Sequence, residues 1–167
     1  MIIYLIGMMG AGKSTFGKQL ATYLNFPFVD LDEAIVKHEG KTIAQLFETL
    51  GENGFRLAEQ KVLQIESNTT ANKIIATGGG TPCFFDNMAY MNTTGCTLFL
   101  NIGAAEIANR LSKANNQHRP LLKDKSKEEI QEFITQKLAE RISFYEEAQV
   151  EIMDPTMDLG LLKGVIL

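Results

Sequence analysis

The sequence predicts an α/β protein built on a parallel sheet with helices on both faces. Three observations carry that prediction. Short apolar runs alternate with longer stretches of helical periodicity along the chain. The first apolar run leads directly into a glycine-rich turn that ends in lysine and serine. No internal repeat or linker interrupts the alternation. Parallel strands need long crossover connections, and a helix is the usual one, so strand and helix patterns must alternate.

The elements follow in order. Strands are expected at residues 2–6, 27–30, 73–77, 96–101 and 149–153, each a short apolar run bounded by polar or glycine residues. Helix 14–24 is marked by Phe16, Leu20 and Leu24 at four-residue spacing. Ile43, Leu46, Phe47 and Leu50 form a second apolar stripe, and Val62, Leu63 and Ile65 a third. Ile130, Phe133, Ile134, Leu138 and Ile142 mark a long helix near the end. The tail DLGLLKGVIL is expected to pack on the sheet, with an oligomer contact as the weaker alternative. One polar stretch, SKANNQHRPLLKDKSK at residues 112–127, is too long for an ordinary connection. It is either a functional lid or a disordered loop.

Composition bounds the function. The 167 residues suit one domain, 1–167, with a full core. A net charge of −4 argues against a nucleic-acid partner without excluding a local basic pocket. The first residues carry no charged leader pattern, and no apolar run approaches the ~20 residues of a membrane span. Two cysteines, Cys83 and Cys96, fit a reducing cytoplasm as buried thiols, a disulfide between them being the weaker alternative.

The turn after the first strand carries the chemistry. Residues 7–14, GMMGAGKS, match the pattern G-x-x-x-x-G-K-[ST] between a strand and a helix. Glycines let backbone N–H groups converge on phosphate oxygens without Cβ clashes, and the helix N-terminus adds its positive dipole end. Lys13 is placed to reach the β- and γ-phosphates of a nucleoside triphosphate, and Ser14 to hold Mg²⁺. The motif does not say whether water or a second substrate accepts the phosphoryl group.

Residues downstream supply candidates for an acceptor. Asp30 and Asp32 end the second strand, at the sheet edge where ligands of open α/β sheets bind. One suits Mg²⁺ through water and the other a hydroxyl proton; a plain helix cap is the alternative for either. Arg56 and Glu59, three apart, share a helix face. Spacing alone leaves open whether they form a surface ion pair or an arginine fork for a carboxylate, fixed by Glu59. Gly78, Gly79 and Gly80 exceed what a turn needs and favour close approach to a ligand. No acidic residue at this strand end offers a second metal contact, which moves that role to Asp30. Arg119 lies on the polar stretch, placed to swing onto transferring phosphates, whereas His118 reads as an exposed loop residue. Arg141, with Tyr145 one turn on, is either a solvated cation or a second cation for an anionic substrate.

The ordered set GMMGAGKST, DLD, GENGFRLAE, GGG, and RPLL followed by RISFY resembles the shikimate kinase family from Met1 to about Pro155. The resemblance implies a nucleoside-monophosphate-kinase-like P-loop fold: three layers, a five-stranded parallel sheet in order 2-3-1-4-5, and a lid near residues 112–127. It implies transfer of the ATP γ-phosphoryl to the 3-hydroxyl of shikimate, giving 3-phosphoshikimate and ADP on the route to chorismate and the aromatic amino acids. It implies that Gly10, Ala11, Gly12, Lys13, Ser14, Thr15 and Arg119 bind ATP, and that Ser14, with Asp30 through water, holds Mg²⁺. Asp32, Arg56, Gly78, Gly79, Gly80 and Arg141 then bind shikimate, with Lys13, Asp32 and Arg119 catalytic and Glu59 orienting the substrate side. Ser112 stands where the family often carries an adenine-covering arginine, with Arg110 and Lys113 nearby. A gluconate-type kinase is the nearest alternative, and the GENGFRLAE, GGG and RPLL set speaks against it. A cytoplasmic monomer with no nucleic-acid or membrane partner is expected.

Overall fold

A computed structural model of the chain describes residues 1–113, 122 and 125–166. Strand β1 (Ile2–Ile6) is buried along its whole length. A strand covered on both faces needs no polar alternation, which is why IIYLI reads as a continuous apolar run. It lies at the centre of a five-stranded sheet of order β2-β3-β1-β4-β5, with β2 at Phe28–Asp30, β3 at Lys73–Ala76, β4 at Cys96–Leu100 and β5 at Val150–Ile152. All four pairings are parallel. The order and the handedness of such crossovers put every strand's C-terminal end on one edge.

The alternation of β1 side chains divides the core in two. Ile3 and Leu5 face one cluster with Phe16 and Leu20 of α1 (Lys13–Leu24). Ile2, Tyr4 and Ile6 face the other, with Leu31 and Ile35 of α2 (Leu31–Glu39) and Val62 and Leu63 of α3 (Ile43–Ser67). Gly17 lets α1 lie directly on the sheet, since a Cβ there would stand 2.5 Å from the Phe28 ring.

The second and third stripes are one broken helix. Thr42 and Gln45 close a capping box at the start of α3. Gly51, at φ 68° and ψ 179°, interrupts it. In its first segment Leu46 is buried, but Phe47 and Leu50 are 37% and 47% exposed, so that stripe is only half covered. After β3 come a short 3-10 turn (Thr81–Cys83) and α4 (Asn87–Thr94). Helix α5 (Ala104–Lys113) leads into the polar stretch, and α6 (Lys127–Tyr145) leaves it behind a Ser126–Glu129 capping box. Helix α7 (Leu159–Ile166) returns Leu162 and Ile166 to the first core cluster, as the tail's pattern predicts. Cys83 and Cys96 are free thiols, half-buried rather than fully buried. No described helix is long and apolar enough to cross a membrane.

Candidate active site

Parallel register builds the site. Leu5 pairs with Ala76, and Asp30 pairs with Ala76 from the other side. The glycine loop after β1, the carboxylates after β2 and the triglycine turn after β3 therefore share one edge. They line a cleft of about 780 Å³ with Lys13, Ser14, Asp30, Asp32, Gly78 and Gly79 on its walls.

The glycine loop needs its glycines. Gly10 and Gly12 sit at φ 78° and 98°, in the left-handed region that L side chains avoid. A Cβ on Gly10 would also fall 2.9 Å from Leu111 Cγ. Lys13 is buried and donates from Nζ to the carbonyls of Gly7 at 2.7 Å and Met8 at 2.9 Å, so its ammonium is held against the loop it serves. Arg110 donates from Nη1 to the Ala11 carbonyl at 3.0 Å and from Nε to Glu106 at 2.8 Å. It thereby supplies a cation beside the loop where Ser112, turned to Asn109, does not.

Asp30 does two things at once. Its Oδ1 accepts from the backbone N–H of Asp32 at 3.1 Å, capping α2, while its Oδ2 accepts from Ser14 Oγ at 2.7 Å. The cap thus leaves the second oxygen free to meet Ser14. Asp32 falls in the first turn of α2, solvent-exposed at the cleft's mouth yet crowded by protein on its inner side. That desolvation, then Asp30, then Glu59, raises its carboxyl to about 6, with Lys13 and Arg56 pulling the other way.

Arg56 and Glu59 are no surface pair. They are 7% and 1% exposed, and Arg56 Nη1 donates to Glu59 Oε2 at 2.7 Å. The guanidinium lies over the rings of Phe84 and Phe55, 4.5 Å and 5.1 Å from their centroids. Its Nε–H is buried and meets no acceptor among the described residues. A buried donor of that kind is costly unless an anion arrives. A Cβ on Gly80 would stand 2.4 Å from Arg56 Nη2, and one on Gly78 would stand 3.0 Å from Glu59 Oε1 and 3.2 Å from Asp32 Oδ1. The triglycine turn thus lets backbone, carboxylates and guanidinium crowd together. Arg141, on α6, is half-buried, with Nη1 3.3 Å from where a Gly79 Cβ would stand.

Sequence reasoning missed two supports. Thr81 Oγ1 donates to Glu59 Oε1 at 2.6 Å, a contact signalled only by a hydroxyl placed directly after the glycines. Tyr145 donates its hydroxyl to the Gly79 carbonyl. Burial pushes that phenol up to about 12, against a smaller pull from Arg141, so it stays a donor. Arg119 and His118 lie outside the described residues.

Comparison with known proteins identifies the family. The shikimate kinase family model matches residues 9–158. A shikimate kinase from Phocaeicola vulgatus is 48% identical over 147 residues, covering 88% of this chain and 83% of that one. The crystal structure of shikimate kinase from Bacteroides thetaiotaomicron superposes with a TM-score of 0.88 at 42% identity, over 99% of this chain and 93% of that one. Shikimate kinase from Acinetobacter baumannii, solved in complex with shikimate, gives 0.83 at 32% identity over 98% and 88%. A gluconokinase from Sinorhizobium meliloti, at 15% identity, shares the fold alone. The chain belongs to the shikimate kinase family.

Proposed function

We propose that the shikimate kinase activity of this chain, transfer of the ATP γ-phosphoryl to the shikimate 3-hydroxyl, is carried by two half-sites that meet at the C-terminal edge of β1 to β3. One observation carries the reading: Asp32, Glu59 and the Arg56 guanidinium converge on the triglycine turn, which shares a sheet edge with the P-loop.

On the donor side, Gly10 to Thr15 cradle the ATP phosphates through backbone N–H groups, and Lys13 neutralises the β- and γ-oxygens. Mg²⁺ is held by Ser14 Oγ, with Asp30 acting through water. The supporting observation is that these hard oxygen donors already lie 2.7 Å apart. When bound, Mg²⁺ neutralises charge developing on the phosphates. Arg119, carried over from the RPLL motif, is assigned to the transferring phosphoryl, and residues 112–127 to the lid.

On the acceptor side, Arg56 and Arg141 take the shikimate carboxylate. A planar fork suits that anion, and the buried Nε–H of Arg56 supports the assignment. Gly78, Gly79 and Gly80 admit the ring, and Asp32 binds its hydroxyls and accepts the 3-hydroxyl proton. The enzyme works as a cytoplasmic monomer; Leu162 and Ile166 of α7 are spent on the chain's own core.

The test is ADP release from ATP and Mg²⁺ with shikimate, quinate, gluconate or no acceptor. Turnover is expected to depend on shikimate. Equal turnover without acceptor, or a preference for gluconate, overturns the reading. The raised Asp32 carboxyl adds a pH signature. A base must be deprotonated, so kcat/KM should fall as pH drops through about 6. Below that it should lose about tenfold per pH unit. A flat profile across that range removes Asp32 from the base role.

A further inference from the structure

We propose that Thr81 is a positioning residue for acceptor recognition, fixing Glu59 and, through Glu59, the guanidinium of Arg56. The inference rests on the reading of Arg56 as a ligand of the acceptor carboxylate.

Thr81 is fully buried, and all three of its polar groups are engaged. Its N–H donates to the Gly78 carbonyl at 3.2 Å, and its own carbonyl accepts from Asn87 Nδ2 at 3.0 Å. Its hydroxyl donates to Glu59 Oε1 at 2.6 Å. Glu59 in turn gives its other oxygen, Oε2, to Arg56 Nη1. With Glu59 only 1% exposed, bulk water has little access to replace either contact.

The geometry makes Glu59 the main tether of Arg56. Among the described residues the other carboxylate in ion-pair distance of the guanidinium is Glu52, 3.8 Å away and 64% exposed in its side chain, a weak restraint. Phe84 and Phe55 pack beside the guanidinium but offer it no hydrogen-bond acceptor that would fix its rotation. The rotation is set by Nη1 on Glu59 Oε2, and the Glu59 carboxylate is itself held at its far oxygen by Thr81. Thr81 also belongs to the turn that follows Gly80, where an added Cβ would collide with the Arg56 guanidinium. One hydroxyl therefore ties the turn that admits the acceptor's ring to the group that takes its carboxylate. A fork presents two parallel N–H bonds only at one rotation, so loosening Glu59 degrades carboxylate recognition before anything else.

Thr81→Val keeps shape and removes the donor. It is expected to raise the shikimate KM about tenfold, the usual scale of a hydrogen bond to a charged group. The KM for ATP should not change, and Thr81→Ser should restore the wild-type value. The discriminating substrate is methyl shikimate, whose neutral ester cannot use an oriented fork. Thr81→Val should lower kcat/KM for the acid and leave the ester at its wild-type value. An unchanged shikimate KM, or equal losses for acid and ester, overturns the proposal, because equal losses mean general damage to the fold. Arg56→Ala, run in parallel, separates this from the underlying reading. If it leaves the preference for acid over ester intact, Arg56 is misassigned. If it abolishes that preference while Thr81→Val does not reduce it, only the role of Thr81 fails. Thermal melts check folding, and Thr81→Ala, which adds no methyl beside Glu59, is measured the same way should Thr81→Val be recovered unfolded.

Discussion

Asp32→Asn is expected to lower kcat by about 10²- to 10⁴-fold, the range that general base catalysis supplies, with ATP and shikimate still bound. The amide keeps the size of the side chain and its place at the start of α2 but cannot accept the hydroxyl proton. Single-turnover measurements with titration of both ligands check this, and near-normal turnover would show that Asp32 only positions the hydroxyl. The same substitution should stabilise the ligand-free protein above about pH 6. The Asp32 carboxyl is raised on folding from its ordinary 3.8, so the unfolded chain loses this proton first, and the resulting penalty on the folded state grows between pH 3.8 and about 6 and is complete above that. Asn removes that penalty. The gain in Tm should therefore shrink as pH is lowered from about 6 towards 3.8, and vanish below that, where the carboxyl is protonated in the folded and the unfolded chain alike. Catalytic groups held against their solvation preference commonly trade stability for function in this way.

Arg56→Ala has the second large effect. It should raise the shikimate KM about a hundredfold or more, the scale seen when one partner of a desolvated charge pair is truncated. The KM for ATP should stay near wild type, since Arg56 is not among the residues lining the P-loop cleft. A collapse of ATP affinity instead would mean that Arg56 is misassigned. The variant also leaves Glu59, 1% exposed, without its cation. Removing one partner of a buried pair costs about 3–5 kcal/mol, so a lower Tm accompanies the kinetic loss. Arg56→Lys separates the two effects. It keeps a charge near Glu59 but loses the planar fork, and should retain most of the stability while still weakening shikimate binding.

Much of this molecule is legible in its one-dimensional pattern. Each predicted strand falls within a residue or two of an observed one; for the central strands IIYLI and CTLFL the reason is burial on both faces, which favours a near-continuous apolar run. The P-loop is equally legible, since Gly10 and Gly12 at positive φ admit few other residues. What spacing could not decide was the environment of side chains brought together from distant elements. Arg56 and Glu59 read equally well as a surface pair, and only the packing of Phe55, Phe84 and Thr81 around them makes them a buried unit. Asp30 read as either a cap or a metal-side group. It is a cap that also meets Ser14, because β2 and α1 are adjacent only in three dimensions. Phe47 and Leu50 read as a core stripe, yet they remain partly exposed because α3 breaks at Gly51.

The sequence by itself determined the fold class, the phosphate loop, and which residues are candidates for the acceptor side. Backbone periodicity and obligatory glycines are local properties, written in adjacent residues. Only the tertiary structure decided which carboxylate is crowded into a raised pKa, which arginine is buried, and which hydroxyl steadies it. Burial, desolvation and hydrogen-bond partnership depend on neighbours in space, and here those neighbours come from β1, β2, α3 and the turn after β3.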